Sequence, residues 1–251
     1  MSRVIFSVRR IVFVAAACVG IWLCADAPAF AGPWRVQEMW FVEGFGAVHF
    51  LDRSDVNNYT DGGDIERFGN REERGYLGRA TPVLGGRLGL ARRRFIGDLT
   101  VQYAREWRDG PGTGATISNL NLLFHAGVDL VHTRFTLYPY VGAGWSYTNF
   151  TVNGDDRLKP RFPDFAGAKE GIPADVGLGI EWFATPKWTV REPSYGKAVT
   201  MPIFLHAGYQ GEIITYFWQI KHGELARSVT DRFIGPYVRV GIGAGKGSFI
   251  R

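Results

Sequence analysis

The sequence predicts an all-β fold, an antiparallel up-and-down transmembrane β-barrel of eight strands, with ten as the alternative count. Three observations carry that expectation. Short stretches recur about eight times in which one parity of residues is apolar and the other holds glycine or a lone charge. Side chains alternate across a strand, so each stretch has one oily face and one polar face. The links between these stretches alternate between short and long, as in barrels with tight turns on one rim and loops on the other. Beyond the first thirty or so residues there is no long apolar run, although hydrophobic residues make up 46% of the chain and aromatics 14%.

The N-terminus has its own logic. Arg3, Arg9 and Arg10 form a positive region, Ile11 to Leu23 an apolar core, and Pro28-Ala29-Phe30-Ala31 a small-residue cleavage site, so residues 1–31 read as a cleaved secretory signal peptide. The apolar core is shorter than the roughly 20 residues a spanning helix needs. Leu23 is too large to precede a lipidated cysteine at Cys24, and Cys18 lies inside the apolar core, which argues against a lipoprotein anchor. Both cysteines fall in this leader, so residues 32–251 offer no disulfide, thiol nucleophile or cysteine metal site. Without Arg3, Arg9, Arg10 and Asp26, the 29 basic and 24 acidic residues become 26 and 23. So mild a surplus fits acidic lipid better than nucleic acid, which calls for a concentrated basic face. Residues 32–251 are expected to form a single barrel domain.

Strands are expected near 38–50, 80–91, 95–106, 118–131, 135–149, 174–184, 200–216 and 233–247. The fourth is the clearest, with Leu120, Leu122, Phe124, Ala126, Val128 and Leu130 on one face and Asn119, Asn121, His125, Gly127 and Asp129 on the other. The same reading turns Trp40 and Val42, Leu84 and Leu88, Leu99 and Val101, Val141 and Trp145, Val176 and Leu178, Leu205 and Tyr209, and Val240 and Ile242 outward. Aromatics gather toward strand ends, as interfacial girdles do. The links at 92–94 and 132–134 are tight, whereas 51–79, 107–117, 150–173 and 217–232 are long and polar. The link at 185–199 breaks the alternation, and reads either as a long loop or as a further hairpin that raises the count to ten. A soluble lipocalin-type barrel also alternates, but its polar column is usually stocked with Lys and Glu, and here lysine is nearly absent from the strands.

Three segments carry a family likeness: Tyr138-Pro-Tyr-Val-Gly-Ala-Gly-Trp145, Val176-Gly-Leu-Gly-Ile180 and Gly235-Pro-Tyr-Val-Arg-Val-Gly-Ile-Gly243. With the leader, they make the chain resemble the small OmpA-like outer-membrane β-barrel proteins of Gram-negative bacteria. The resemblance implies an integral outer-membrane location and a structural or surface-interaction role through extracellular loops. It also implies contact with outer-membrane lipid and lipopolysaccharide and with the assembly machinery, which reads a terminal aromatic. Phe249 stands two positions from the end here.

The inward column is expected to hold a structural lumen network of Glu43, Arg87, Asp98, His125, Asp129, Glu181, His206 and Arg239, joined by Gln102 and Gln210. Buried charges have to be paired, and Glu43 and Glu181 are the expected partners of Arg239. Glycines between them make room for these side chains in a narrow barrel. The alternative use of such a network is a narrow ion or proton conductance. A lipid A-modifying enzyme of deacylase or acyltransferase type needs a serine activated by a histidine. Ser118 and His125 are too far apart along one strand to meet, and Ser118, His222 and Glu224 meet only if two loops fold together. No catalytic residue or cofactor is therefore expected. Asp61 and Asp64 fall short of a calcium site, so no metal is expected either. Arg53, Arg67, Arg71, Arg74, Lys159, Arg161 and Lys221 are candidate contacts for lipopolysaccharide phosphates. The loops 51–79 and 150–173 are the natural place for an extracellular ligand.

Overall fold

The structure, a computed structural model, describes residues 34–51, 80–109, 113–131, 133–154, 165–191, 195–215, 219–222 and 234–250. Nine strands occupy them: β1 Arg35–Phe50, β2 Ala80–Arg92, β3 Phe95–Asp109, β4 Thr113–Val128, β5 Phe135–Gly154, β6 Phe165–Arg191, β7 Tyr195–Thr215, β8 Gln219–His222 and β9 Gly235–Ile250. Every pairing is antiparallel, and consecutive strands pair from β1 through to β7. β9 lies between β7 and β1 and closes the ring. Eight strands make the barrel. The short β8 continues the line of β7 along β6, where Ala168 pairs Gln219 just beyond the pairing of Gly171 with Thr215. A closed ladder leaves the barrel no free edge.

All eight expected strands are present, and most run further than expected. β3 and β4 reach Asp109 and Thr113, so the expected long link 107–117 shortens to 110–112. β5 and β6 run on to Gly154 and from Phe165, well into the span 150–173 assigned to a loop. In the link at 185–199, the described residues 185–191 and 195–199 form neither a long loop nor an extra hairpin. They continue the ladder of β6 and β7, with Lys187 opposite Val199 and Arg191 opposite Gly196. The added length lies past the clearest stretches of alternation, and its inward side chains, among them Val36, Ala198 and Phe249, are buried all the same. The leader and the loop arginines Arg53, Arg67, Arg71, Arg74 and Arg161, together with Lys159, lie outside the described residues. Lys221 falls in β8, and its side chain is likewise outside them.

Both described ends of the chain meet at one rim, where Arg35 and Ile250 pair. The turns at 93–94 and 129–134 belong to that rim, and backbone bonds knit them to their neighbours: Arg93 N–H to Gln37 O at 2.9 Å, Asp129 N–H to Arg94 O at 2.7 Å and Phe183 N–H to Arg134 O at 2.8 Å. Arg93 takes φ 53° in the two-residue β2–β3 turn. That left-handed conformation costs an L-residue about 1 kcal/mol and is normally left to Gly or Asn.

The two faces separate as alternation requires. Leu84, Phe124, Val141, Val176 and Val240 are exposed on the outer face, while Glu43, Arg87, Asp98, His125, Glu181, His206 and Arg239 are buried inside. The lumen is packed in tiers. At the termini rim an apolar layer contains Trp34, Val36, Met39, Phe41, Ala91, Ile96, Phe183, Ala198 and Phe249. A second apolar patch of Phe45, Ala47, Leu51, Val83, Ala104 and Phe204 lies toward the loop rim. Glycine makes this possible at close approaches: a Cβ on Gly89 stands 2.1 Å from the Phe41 ring, and one on Gly241 stands 2.2 Å from Phe204. The room thus serves aromatic rings as much as the polar side chains expected there.

Candidate functional site

The charged residues of the lumen form one connected chain across the barrel. Arg87 on β2 is its first hub. Its guanidinium meets Glu43 Oε2 at 2.8 Å, Asp98 Oδ2 at 2.9 Å and Glu181 Oε2 at 3.4 Å, and it donates to the Tyr138 hydroxyl at 2.9 Å. Glu43 stands beside it because β1 and β2 place the two residues in register, whereas Glu181 reaches it from β6 across the lumen. The Tyr138 hydroxyl also contacts Glu181 at 3.1 Å and His206 Nε2 at 2.7 Å.

Arg239 on β9 is the second hub, and here the pairing differs from expectation. Its guanidinium meets Asp175 Oδ2 at 2.8 Å and Gln210 Oε1 at 3.1 Å, not Glu43 or Glu181. The reason is register. Closure sets Gly243 opposite Glu43 and Arg239 opposite Ala47, so Arg239 is displaced from Glu43 by four residues, about 13 Å of strand. Asp175 has the same parity as Glu181 and occupies the level that Arg239 reaches.

His125 joins the hubs. Its Nδ1 lies 2.8 Å from Asp98 Oδ1 and its Nε2 3.0 Å from Asp175 Oδ2. A carboxylate only accepts, so two such contacts require two protons shared among the three groups. The Tyr237 hydroxyl donates to Asp175 Oδ1 at 2.5 Å and is itself hydrogen-bonded to the Tyr140 hydroxyl. Gln102 donates to Gln210 at 2.7 Å, completing a belt drawn from all eight barrel strands.

Aromatic faces enclose both cations. The Arg87 guanidinium carbon is 4.8 Å from the Phe41 ring centre and 5.1 Å from that of Phe204; that of Arg239 is 4.1 Å from Tyr237 and 5.7 Å from Phe45. A weakly hydrated planar cation suits such a setting, where the ring faces offset part of its desolvation.

Of the eight expected network residues, seven join this chain. Asp129 instead caps the β4–β5 turn, its Oδ1 accepting the backbone N–H groups of Val131 at 3.0 Å and Leu137 at 3.3 Å. Asp175, Tyr138, Tyr140 and Tyr237 were not anticipated, although all four share the inward parity of their strands. A further polar group lies toward the loop rim, where Glu212 accepts from Ser146 at 2.7 Å and Lys169 at 2.8 Å. Lys169 went unrecognised because residues 150–173 read as loop. Ser248 donates to Gln37 at 3.3 Å, and Ser118 faces outward on β4.

No family model and no curated protein matches the chain. Among solved structures it is similar to the N-terminal β-barrel domain of Pseudomonas aeruginosa OprF, at 16% identity over 84% of this chain and 99% of that one, with a TM-score of 0.33. Neisserial surface protein A aligns at 13% identity over 85% and 96%, TM-score 0.32. Ail, the attachment invasion locus protein of Yersinia pestis, aligns at 11% over 85% and 99%, TM-score 0.35. At those scores the fold rests on the hydrogen-bonded register of this chain's own strands. That register is a closed eight-stranded up-and-down barrel, the architecture of the small OmpA-like proteins.

Proposed function

We propose that the protein is an integral outer-membrane β-barrel, exported through residues 1–31, whose role is structural or surface-interacting rather than catalytic. The carrying observation is the outer face. Each barrel strand contributes exposed apolar side chains: Trp40 and Val42 on β1, Leu88 on β2, Leu99 and Val101 on β3, Leu122 on β4, Val141 on β5, Leu178 on β6, Met201 on β7 and Ile242 on β9. A soluble monomer rarely exposes contiguous apolar area beyond a few hundred Å². Trp40, Phe95 and Trp182 toward the termini rim, with Tyr103 and Trp107 toward the other, suit two interfacial girdles. The long links 52–79 and 155–164 leave from the rim opposite the termini, which supports an outward-facing loop side.

The lumen residues act, in this reading, as a structural core. Both imidazoles of the charged belt are committed, His125 to two aspartates and His206 to Tyr138, and Ser146 donates to Glu212, which supports a non-catalytic reading. Lipopolysaccharide phosphates, the assembly machinery and an extracellular ligand remain the proposed partners, with the loop arginines the proposed phosphate contacts.

Membrane fractionation tests the location, with the protein expected in the outer membrane in a heat-modifiable form. Binding to whole cells, compared between the intact protein and variants lacking 52–79 or 155–164, tests the role. A change in lipid A mass that depends on the protein overturns the non-catalytic reading.

A further inference from the structure

On the outer face near the termini rim, the barrel wall is indented. A groove of about 330 Å³ is lined by Phe95, Ala126, Val128, Pro139, Val141 and Val176. Its origin is in the sequence. Ala126 pairs Val141, which in turn pairs Val176, while Gly127 pairs Tyr140 and so brings Val128 beside Pro139. The short side chains of Ala126 and Pro139 therefore lie among larger neighbours, and Phe95, 70% exposed, stands at the rim end of the depression.

Phe95 is also the first residue after the β2–β3 turn, so the rim end of the groove adjoins Arg92-Arg93-Arg94 along the chain. All three arginines are exposed, and no carboxylate among the described residues engages them. Glu38 stands opposite Arg92 across the ladder, but its carboxylate accepts from Trp40 Nε1 at 3.3 Å. Asp129 of the adjoining turn is buried, with Oδ1 on its own turn's backbone. Arg93 is the informative residue. It holds φ 53°, where glycine or asparagine fits more easily, and its side chain is exposed at the rim.

We infer that this juxtaposition is a binding site for an anionic glycerophospholipid of the leaflet at the termini rim, its phosphate held by Arg93 and Arg94 and one acyl chain lying in the groove. The inference rests on the membrane reading given above. An apolar trough on the lipid-facing wall offers a chain close contact along its length, and the guanidinium fork suits a phosphate. The committed ligand is the intact lipid; a site that takes free phosphate equally well is a different site.

The purified protein, refolded in neutral detergent, is titrated with phosphatidylglycerol, with phosphatidylcholine of the same acyl chains, and with inorganic phosphate, and bound lipid is read by native mass spectrometry. Phosphatidylglycerol is expected to be retained roughly thirtyfold more tightly than phosphatidylcholine, as two arginines near an anionic headgroup imply. The paired change Arg93→Gly with Arg94→Ser is expected to abolish that preference without loss of the heat-modifiable fold, since glycine is at ease at this φ. Ala126→Phe, which fills the groove, is expected to weaken both lipids. Equal retention of the two lipids, an unchanged preference in the arginine variant, unchanged binding in Ala126→Phe, or displacement of phosphatidylglycerol by inorganic phosphate each overturns the site. Insertion into lipid vesicles is measured on the same sample. A protein that inserts but shows no preference fails this inference alone, whereas one that does not insert fails the membrane reading itself.

Discussion

Arg239 illustrates how much a single buried charge depends on one partner. Its guanidinium is enclosed by Tyr237 and Phe45 and meets Asp175, which also contacts His125 and Tyr237. Arg239→Ala leaves that buried carboxylate without its guanidinium partner, with only His125 and Tyr237 still on it, and a loss of about 3–5 kcal/mol is expected. Asp175→Asn in the Arg239→Ala background should recover part of it, while Glu43→Gln and Arg239→Ala should combine additively, because Glu43 belongs to Arg87. Thermal unfolding of the single and double variants in lipid measures both cycles. Coupling between Arg239 and Glu43 instead would mean that the closing register is wrong. A rise in planar-bilayer conductance in Arg239→Ala without loss of stability would recast the belt as a gate.

At the scale of the strand, alternation governs what each position tolerates. Leu122 is exposed on the outer face of β4 and Asn121 beside it is buried in the lumen. Leu122→Arg near the bilayer midplane should cost about 2–4 kcal/mol, whereas Leu122→Ala should cost far less, as read by refolding in lipid vesicles. The faces were legible because parity needs only local sequence: Leu122 and Asn121 declare themselves within their own strand. Strand ends were harder. Lys169 and Trp188 lie where the apolar column has stopped, and a ladder that extends past the oily belt leaves little trace in composition. The lumen aromatics were hidden for another reason. Phe41 sits between Trp40 and Val42, and although their outward parity turns it inward, an unbroken apolar run does not mark which ring fills the lumen. Partners across the lumen were least legible of all. Arg239 finds Asp175 only through the stagger of a closed ring, which no single strand encodes.

For the whole barrel, orientation is the property most directly open to test. Cysteines placed within 52–79 or 155–164 should be labelled by a membrane-impermeant thiol reagent on intact cells, and cysteines at Arg93 or Thr133 should not, because the tight turns share a rim with the termini. The reverse pattern would turn the barrel over in the membrane and move the arginine turn to the outer leaflet. Among the described residues, apolar clusters lie on either side of the charged belt in the lumen, so steady conductance through the unmodified barrel is expected to be negligible.

The pairing of Val36 with Phe249 joins residues more than two hundred positions apart, and it is the seam of the cylinder. Seven of the eight strand pairings can be laid down between chain neighbours. The eighth has to wait until the last strand arrives, and until then β1 and β7 each present an unsatisfied edge. Time is thus written into the topology. The slowest and most hazardous moment in the life of the chain is expected to be its final contact, when loop-closure entropy is greatest and open edges are exposed to other chains. Phe249, folded into the apolar layer behind that seam, is one of the residues that makes the last step hard to reverse.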